Sequence, residues 1–158
     1  MDSKKLKVLF LCTGNSARSI LGEYLLRAAD PRVETFSAGA EPTGRVHPMA
    51  LEVLKDAYGI DASDASSKSW DALTKIELDL VITVCDHARD TCPVLPSSPA
   101  LQVHWGSPDP ARSGDEAAFR RVAAQIQRRI ERFCALPIEQ LGRDELAAEL
   151  QRIGTEVG

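Results

Sequence analysis

The chain has 158 residues, of which 44% are hydrophobic and 27% charged, which is enough apolar sequence for the core of one compact domain and too little length for two. The formal net charge of -4 at pH 7 argues against a surface built to hold nucleic acid or an anionic membrane. No stretch approaches the roughly 18 apolar residues of a spanning helix and the N-terminus lacks the cleavage site of a secretory leader, so we expect a cytoplasmic protein with its cysteines as thiols.

Strands and helices alternate in the predicted order of elements. Four apolar runs are typical of strands: 7–12, 32–39, 79–85 and 100–105. Helical spacing of apolar residues predicts three long helices: 16–30, 47–60 and 115–136. The strand at 79–85 is almost wholly apolar, as expected for a parallel strand covered on both faces. The pattern predicts an α/β fold, a three-layer αβα domain around a central parallel sheet of four strands.

A further amphipathic segment follows Pro137. Leu146, Leu150 and Ile153 fall on one side of a helix predicted within this segment. We therefore divide the chain into a domain over 1–137 and a C-terminal helical extension over 138–158. The sequence leaves open whether the extension packs on this domain or on a partner.

The loop after the first predicted strand, CTGNSARS, has the makeup of an anion site. Backbone N–H groups of a strand-to-helix loop point at one spot, and the helix N-terminus adds about half a positive charge there. Arg18 supplies a planar fork that suits two oxygens of a tetrahedral oxyanion. The predicted oxyanion-binding residues are Thr13, Gly14, Asn15, Ser16, Ala17, Arg18 and Ser19.

Cys12 lies at the base of the same loop. The local field that binds an anion also favours a thiolate, and the hydroxyl of Ser19 would stabilise that charge further if it reaches the sulfur. A C-x5-R spacing on its own could arise by chance. The strand predicted before Cys12 and the helix predicted after it favour a nucleophilic role for Cys12. The segment GAEPTGRV at 39–46 lacks the Lys and hydroxyl of a nucleotide phosphate loop, and the dinucleotide fingerprint is absent.

Cys85 and Cys92 flank a polar segment after the third predicted strand. That strand delivers Cys85 to the same edge of the sheet as Cys12. Two turns of helix would separate Cys85 from Cys92 by about 10 Å of rise, so a disulfide between them requires the segment to bend or unwind. Buried core thiols are the alternative, but the charged neighbours favour reactive thiols. His87 does not complete a zinc site with this spacing, and no metal is predicted.

Asp109 stands between two prolines in HWGSPDPAR, so a stiff loop presents one carboxyl group. A departing oxygen needs a proton, which such a group can supply in a pocket that holds little water. The more frequent role of a Pro-Asp-Pro segment is to form a structural turn. Asp109 is interpreted as a general acid only because the same chain also contains the two cysteine motifs. Cys134, beside Phe133 in a predicted helix, is interpreted as packing.

Together these motifs, in this order, resemble the thioredoxin-linked arsenate reductases built on the low-molecular-weight tyrosine phosphatase fold. The resemblance covers about 7–136. It implies that Cys12 attacks arsenate, that Arg18 binds the oxyanion and that Asp109 is the acid for the departing hydroxide.

The resemblance also implies a relay of thiols. Cys85 would attack the adduct of Cys12 with arsenate, release arsenite and leave a Cys12–Cys85 disulfide. Cys92 would then attack Cys85 and leave a Cys85–Cys92 disulfide for thioredoxin to reduce. Since the thiols supply both electrons, no flavin, haem or catalytic metal is expected.

Some proteins of this kind bind potassium beside the loop, and the equivalent positions here are Asn15, Glu23, Ser37, Ser66 and Lys68. Lys68 stands where a carboxylate would be needed, and an ammonium suits a metal site poorly. We predict that Lys68 replaces potassium and pairs with Glu23. A solvated surface lysine is the alternative.

Two other functions compete with arsenate reduction. A phosphatase acting on phosphotyrosine or small phosphomonoesters would need Cys12, Arg18 and Asp109 but neither of the later cysteines. A noncatalytic oxyanion-binding or redox-sensing module would need no acid. The expected partners are arsenate, with phosphate or sulfate as competing oxyanions, and thioredoxin, or alternatively glutaredoxin with a small thiol, but no nucleic acid or membrane.

Overall fold

The computed structural model describes residues 5–14, 17–39, 43–69, 76–85, 100–107, 110 and 115–156. The strands are β1 (Leu6–Cys12), β2 (Val33–Gly39), β3 (Leu80–Thr83) and β4 (Leu101–His104). The helices are α1 (Arg18–Ala29), α2 (Pro48–Tyr58), α3 (Glu116–Cys134) and α4 (Arg143–Glu156).

The strands form one parallel sheet in the order β2-β1-β3-β4. Every residue of β3, and every residue of β1 from Val8 onward, is buried, so both faces of the two central strands are covered. The predicted fold class, an α/β domain with four parallel strands in the middle layer, is confirmed. β3 ends at Thr83, two residues earlier than predicted.

Helix α1 lies unusually close to the sheet because a glycine faces β1. A Cβ atom on Gly22 would stand 2.5 Å from Cδ1 of Phe10, a separation that packed side chains do not reach. Tyr24 and Leu25 are also buried. The close approach fixes the start of α1 next to the end of β1.

The predicted C-terminal helix forms as α4 and packs on this same chain. Leu146, Leu150 and Ile153 are all buried, as their spacing predicts. The indole Nε1–H of Trp105 donates to the carbonyl of Leu150 at 2.9 Å. A Cβ atom on Gly154 would stand 2.5 Å from the carbonyl oxygen of His104. Helix α4 therefore covers the edge strand β4, which would otherwise present an unpaired backbone.

Across the parts of the chain described above, no helix combines the length and the apolar character needed to cross a membrane.

Candidate active site

The carboxyl ends of β1 and β3 meet at the point where the topology reverses. The chain leaves β1 toward β2 on one side and leaves β3 toward β4 on the other. Crevices at such points are the usual ligand sites of parallel α/β sheets. Cys12 is the last residue of β1, and Cys85 follows the end of β3 by two residues. Two of the three predicted reactive cysteines are thereby brought to one crevice.

Cys12 and Ser19 form a buried pair. The Sγ of Cys12 lies 3.0 Å from the Oγ of Ser19, and the two residues are 3% and 0% exposed. Either atom can donate while the thiol is protonated. Once the thiol has lost its proton, only the hydroxyl can donate, so the pair is suited to a thiolate. The contact that the sequence analysis gave as a condition is present.

The start of α1 carries no acidic side chain that would repel an anion. Its N-cap residue is Ala17, no side chain in the described chain caps it, and its first turn has no acidic residue. The Nη1 of Arg18 donates to the carbonyl of Ser107 at 3.0 Å. This bond holds one arm of the guanidinium across the crevice. The sequence analysis did not identify Ser107, although Ser107 lies in the same HWGSPDPAR motif as Asp109.

Cys85 is held by the loop after β1, because its Sγ lies 3.2 Å from the Oγ1 of Thr13. The register of the two strands explains the pairing. Leu11 lies opposite Thr83, and the N–H of Val84 donates to the carbonyl of Leu11 at 3.0 Å. Continuing that register places Cys85 beside Thr13, one residue beyond Cys12. The described cysteines are thiols: Cys12, Cys85 and Cys134.

A serine outside the predicted site supports the loop. The carbonyl of Gly14 accepts from the N–H of Thr43 at 3.0 Å and from the Oγ of Ser67 at 3.1 Å. The same hydroxyl of Ser67 accepts from the N–H of Gly44 at 3.1 Å. Ser67 thus ties the loop to the segment before α2. Nothing in the sequence pattern singles it out.

The candidate cation positions contain an ion pair that the sequence analysis did not consider. One carboxylate oxygen of Glu23 accepts from the hydroxyl of Ser37 at 2.5 Å, and the other pairs with Arg27 at 2.7 Å. The guanidinium of Arg27 also donates to the carbonyl of Thr35 at 3.1 Å. Glu23 and Arg27 are one helical turn apart, a spacing that could have revealed the pair.

Lys68 lies in the electrostatic field of this pair. Its Nζ donates to the carbonyl of Ser66 at 2.9 Å and lies 3.4 Å from the Ser66 hydroxyl. Burial lowers the pKa of the Lys68 ammonium, the Glu23 carboxylate raises it and the Arg27 guanidinium lowers it. The structure therefore places Lys68 near Glu23, while the direct pairing of the two stays a prediction.

Several predicted site residues lie outside the described part of the chain: Asn15, Ser16, Cys92 and Asp109. Their roles stay predictions. Within the described ranges, His, Cys, Asp and Glu side chains nowhere form a group of three or more that could hold a metal ion.

Residues 7–149 match the sequence profile of the low molecular weight phosphotyrosine protein phosphatases. The arsenate reductase of Halalkalibacterium halodurans is 42% identical over 132 residues, which cover 80% of this chain and 93% of that protein.

Solved structures of both enzyme types share the fold. The low molecular weight protein tyrosine phosphatase from T. tengcongensis superposes with a TM-score of 0.72 at 25% identity, covering 87% of this chain and 100% of its own. A structure described as an arsenate reductase in the phosphate binding state gives a TM-score of 0.70 at 27% identity, with coverage of 82% and 97%.

Proposed function

The chain belongs to the low molecular weight phosphotyrosine protein phosphatase family, and we propose that within this family it is an arsenate reductase that works through a relay of three thiols. The observation that carries the proposal is the position of Cys85. Its sulfur is hydrogen-bonded to Thr13, the residue directly after the nucleophile Cys12. Hydrolysis of a phosphate ester needs one cysteine in the crevice, whereas reduction needs a second thiol within reach of the first.

The first step uses the groups around Cys12. Arg18 and the N–H groups at the start of α1 bind arsenate, and the Ser19 hydroxyl stabilises the thiolate. The sulfur attacks arsenic and forms a sulfur–arsenic bond. A hydroxyl group of arsenate takes a proton, which we assign to Asp109, and leaves as water as its arsenic–oxygen bond breaks.

The second step transfers two electrons to arsenic. The Cys85 thiolate attacks the sulfur of Cys12, the sulfur–arsenic bond breaks, and its electron pair stays on arsenic, which leaves as arsenite. The product is a Cys12–Cys85 disulfide. Thr13 supports this step because its hydroxyl can donate to the Cys85 thiolate and holds the sulfur at the crevice.

The third step regenerates the nucleophile. Cys92 attacks Cys85, so that Cys12 returns as a thiol and a Cys85–Cys92 disulfide remains. A dithiol of the thioredoxin type then supplies two electrons and two protons. Glutaredoxin with a small thiol is the alternative reductant. A relay of this kind needs a reducing compartment, consistent with a cytoplasmic location.

No cofactor is part of the proposal, because the thiols supply both electrons. The residues at the candidate cation positions also fit potassium poorly. The Glu23 carboxylate is already neutralised by Arg27 and bonded to Ser37, and the ammonium of Lys68 adds positive charge nearby. A cation would have to displace or repel these groups.

A phosphatase is the second candidate, favoured by the match of the fold to a tyrosine phosphatase. Cys12 and Arg18 would serve a phosphate ester as well as arsenate, since both anions are tetrahedral. A phosphatase would leave the contact between Thr13 and Cys85 without a role.

The test is the release of arsenite from arsenate with thioredoxin, thioredoxin reductase and NADPH. The unaltered protein is compared with Cys85→Ser and Cys92→Ser, and Cys134→Ser serves as the matched control because its thiol lies in α3 beyond the crevice. We expect turnover in the unaltered protein and in the control. Cys85→Ser should release no arsenite, and Cys92→Ser should release at most one equivalent.

Turnover that persists in Cys85→Ser would contradict the relay. Efficient hydrolysis of para-nitrophenyl phosphate by all four proteins, with no arsenite from the unaltered one, would identify a phosphatase instead.

A further inference from the structure

A buried arginine in α3 lies behind the candidate active site. Arg129 is 2% exposed, and burial, with a smaller contribution from Arg128, lowers the pKa of its guanidinium. A charge that deep is retained only where its donors meet specific acceptors. Arg129 also falls three residues after the buried Ile126, on the apolar side of the helix, so its position is not that of a solvated surface residue.

The guanidinium of Arg129 joins two parts of the fold. Its Nη2 donates to the carbonyl of Gly154 in α4 at 3.2 Å, and its Nη1 donates to the hydroxyl of Ser107 at 3.4 Å. Gly154 itself packs closely against β4, where a Cβ atom on it would stand 2.5 Å from the carbonyl oxygen of His104. The guanidinium of Arg129 therefore links α4 to Ser107.

Ser107 in turn connects Arg129 with the anion-binding arginine. Its carbonyl accepts from Nη1 of Arg18 at 3.0 Å, and its N–H donates to the carbonyl of Val84 at 3.0 Å. Three different groups of Ser107 are thus bonded to α1, to α3 and to the residue that follows β3. A shift of Ser107 would turn the guanidinium of Arg18 relative to the start of α1.

We propose that Arg129 is a positioning residue for the oxyanion, because it holds Ser107 where the Ser107 carbonyl orients Arg18. The proposal rests on the proposed function for the identity of the substrate, arsenate. The C-terminal helix α4 then has a role in the reaction, because the carbonyl of Gly154 holds Nη2 of Arg129. A lysine cannot reproduce it, because one ammonium lacks the two-armed geometry that spans both acceptors.

The experiment measures binding of inorganic phosphate by titration calorimetry and the steady-state kinetics of arsenate reduction. The variants are Arg129→Met, Arg129→Lys, Ser107→Ala and the double variant Arg129→Met/Ser107→Ala. Arg132→Gln is the matched control, because Arg132 also joins α3 to α4, through Glu156 at 3.2 Å, and has no bond to Ser107.

We expect Arg129→Met and Arg129→Lys to raise the phosphate Kd and the arsenate KM about five- to tenfold, while kcat stays within about twofold. Ser107→Ala should act in the same direction, and adding it to Arg129→Met should have little further effect, since the two residues act through one contact. Arg132→Gln should leave both constants unchanged.

Two results would overturn the proposal. One is a phosphate Kd in Arg129→Lys equal to that of the unaltered protein, which would assign the effect to charge. The other is a phosphate Kd in the double variant that is raised by the product of the two single-variant effects. If the unaltered protein produces no arsenite but Arg129→Met still weakens phosphate binding, arsenate reduction is rejected and the positioning role stands.

Discussion

The sulfur of Cys12 lies 3.0 Å from the hydroxyl of Ser19, across the junction of β1 and α1. Both residues are almost fully buried, so water cannot replace the hydroxyl as a donor. A hydrogen bond to a buried charged group contributes about 1.5–3 kcal/mol. Ser19 is therefore placed to donate a hydrogen bond to the sulfur when Cys12 attacks as a thiolate.

Ser19→Ala should lower the rate at which iodoacetamide alkylates Cys12 near neutral pH by about tenfold, because the attacking sulfur loses the hydrogen bond from the Ser19 hydroxyl. The rate is measured by mass spectrometry of the labelled peptide. Ser63→Ala, at an exposed loop serine, is the control and should react as the unaltered protein does. An unchanged rate in Ser19→Ala would remove Ser19 from the mechanism.

In the proposed relay, the contact between Thr13 and Cys85 should affect the release of arsenite but not the hydrolysis of a phosphate ester. Thr13→Val removes the hydroxyl bonded to the Cys85 sulfur but keeps the backbone N–H that is predicted to bind the anion. We expect release of the first equivalent of arsenite to slow about tenfold, while hydrolysis of para-nitrophenyl phosphate, which does not need Cys85, changes little. Single-turnover quench experiments in the Cys92→Ser background measure the first quantity.

Thr13→Ser is the matched control, since it retains a hydroxyl at the same position, and it should behave as the unaltered protein. Equal slowing of both reactions in Thr13→Val would mean that Thr13 serves anion binding instead of Cys85.

The fold was largely predictable because its signals are local. Short runs rich in apolar residues marked the strands, and helical spacing marked α1, α2, α3 and the buried face of α4. The sequence did not decide where α4 packs. That depends on the fit of Gly154 against His104, a contact between residues 50 positions apart that no periodicity encodes.

The site divides in the same way. Cys12, Arg18 and Ser19 fall within eight residues, and a strand followed directly by a helix brings them together. The bond between Thr13 and Cys85 joins residues 72 positions apart, and that between Arg18 and Ser107 spans 89. These contacts depend on strand order and register, which a single sequence does not specify.

The raised pKa of the Tyr24 phenol predicts how the stability of the fold changes at alkaline pH. Burial, the hydrogen bond to Asp64 at 2.9 Å and the charge of Glu23 together raise the pKa of Tyr24 to about 12 from 10.0. Since the folded state holds this proton more tightly than the unfolded state does, the stabilisation is fully present below pH 10. It is lost as the pH rises toward 12.

The chain has two tyrosines, so Tyr58→Phe leaves Tyr24 as the sole phenol. In that variant the tyrosinate absorbance should rise with a midpoint about two units above that of the unfolded chain. In Tyr24→Phe, the free energy of unfolding should fall less steeply between pH 10 and 12 than in Tyr58→Phe. A midpoint at the ordinary tyrosine value would contradict the burial of this hydroxyl.

A variant of Lys68 tests whether its ammonium group takes the place of a potassium ion. With Arg27 paired to Glu23 and the ammonium of Lys68 beside them, we expect arsenate reduction in potassium chloride and in sodium chloride of equal ionic strength to agree within about twofold. Lys68→Asp replaces the ammonium by a carboxylate and should introduce a cation dependence that the unaltered protein lacks. Lys68→Met, which removes the charge without adding a ligand, is the control for a change of charge alone. A large activation of the unaltered protein by potassium over sodium would show that the ammonium does not take the place of the ion.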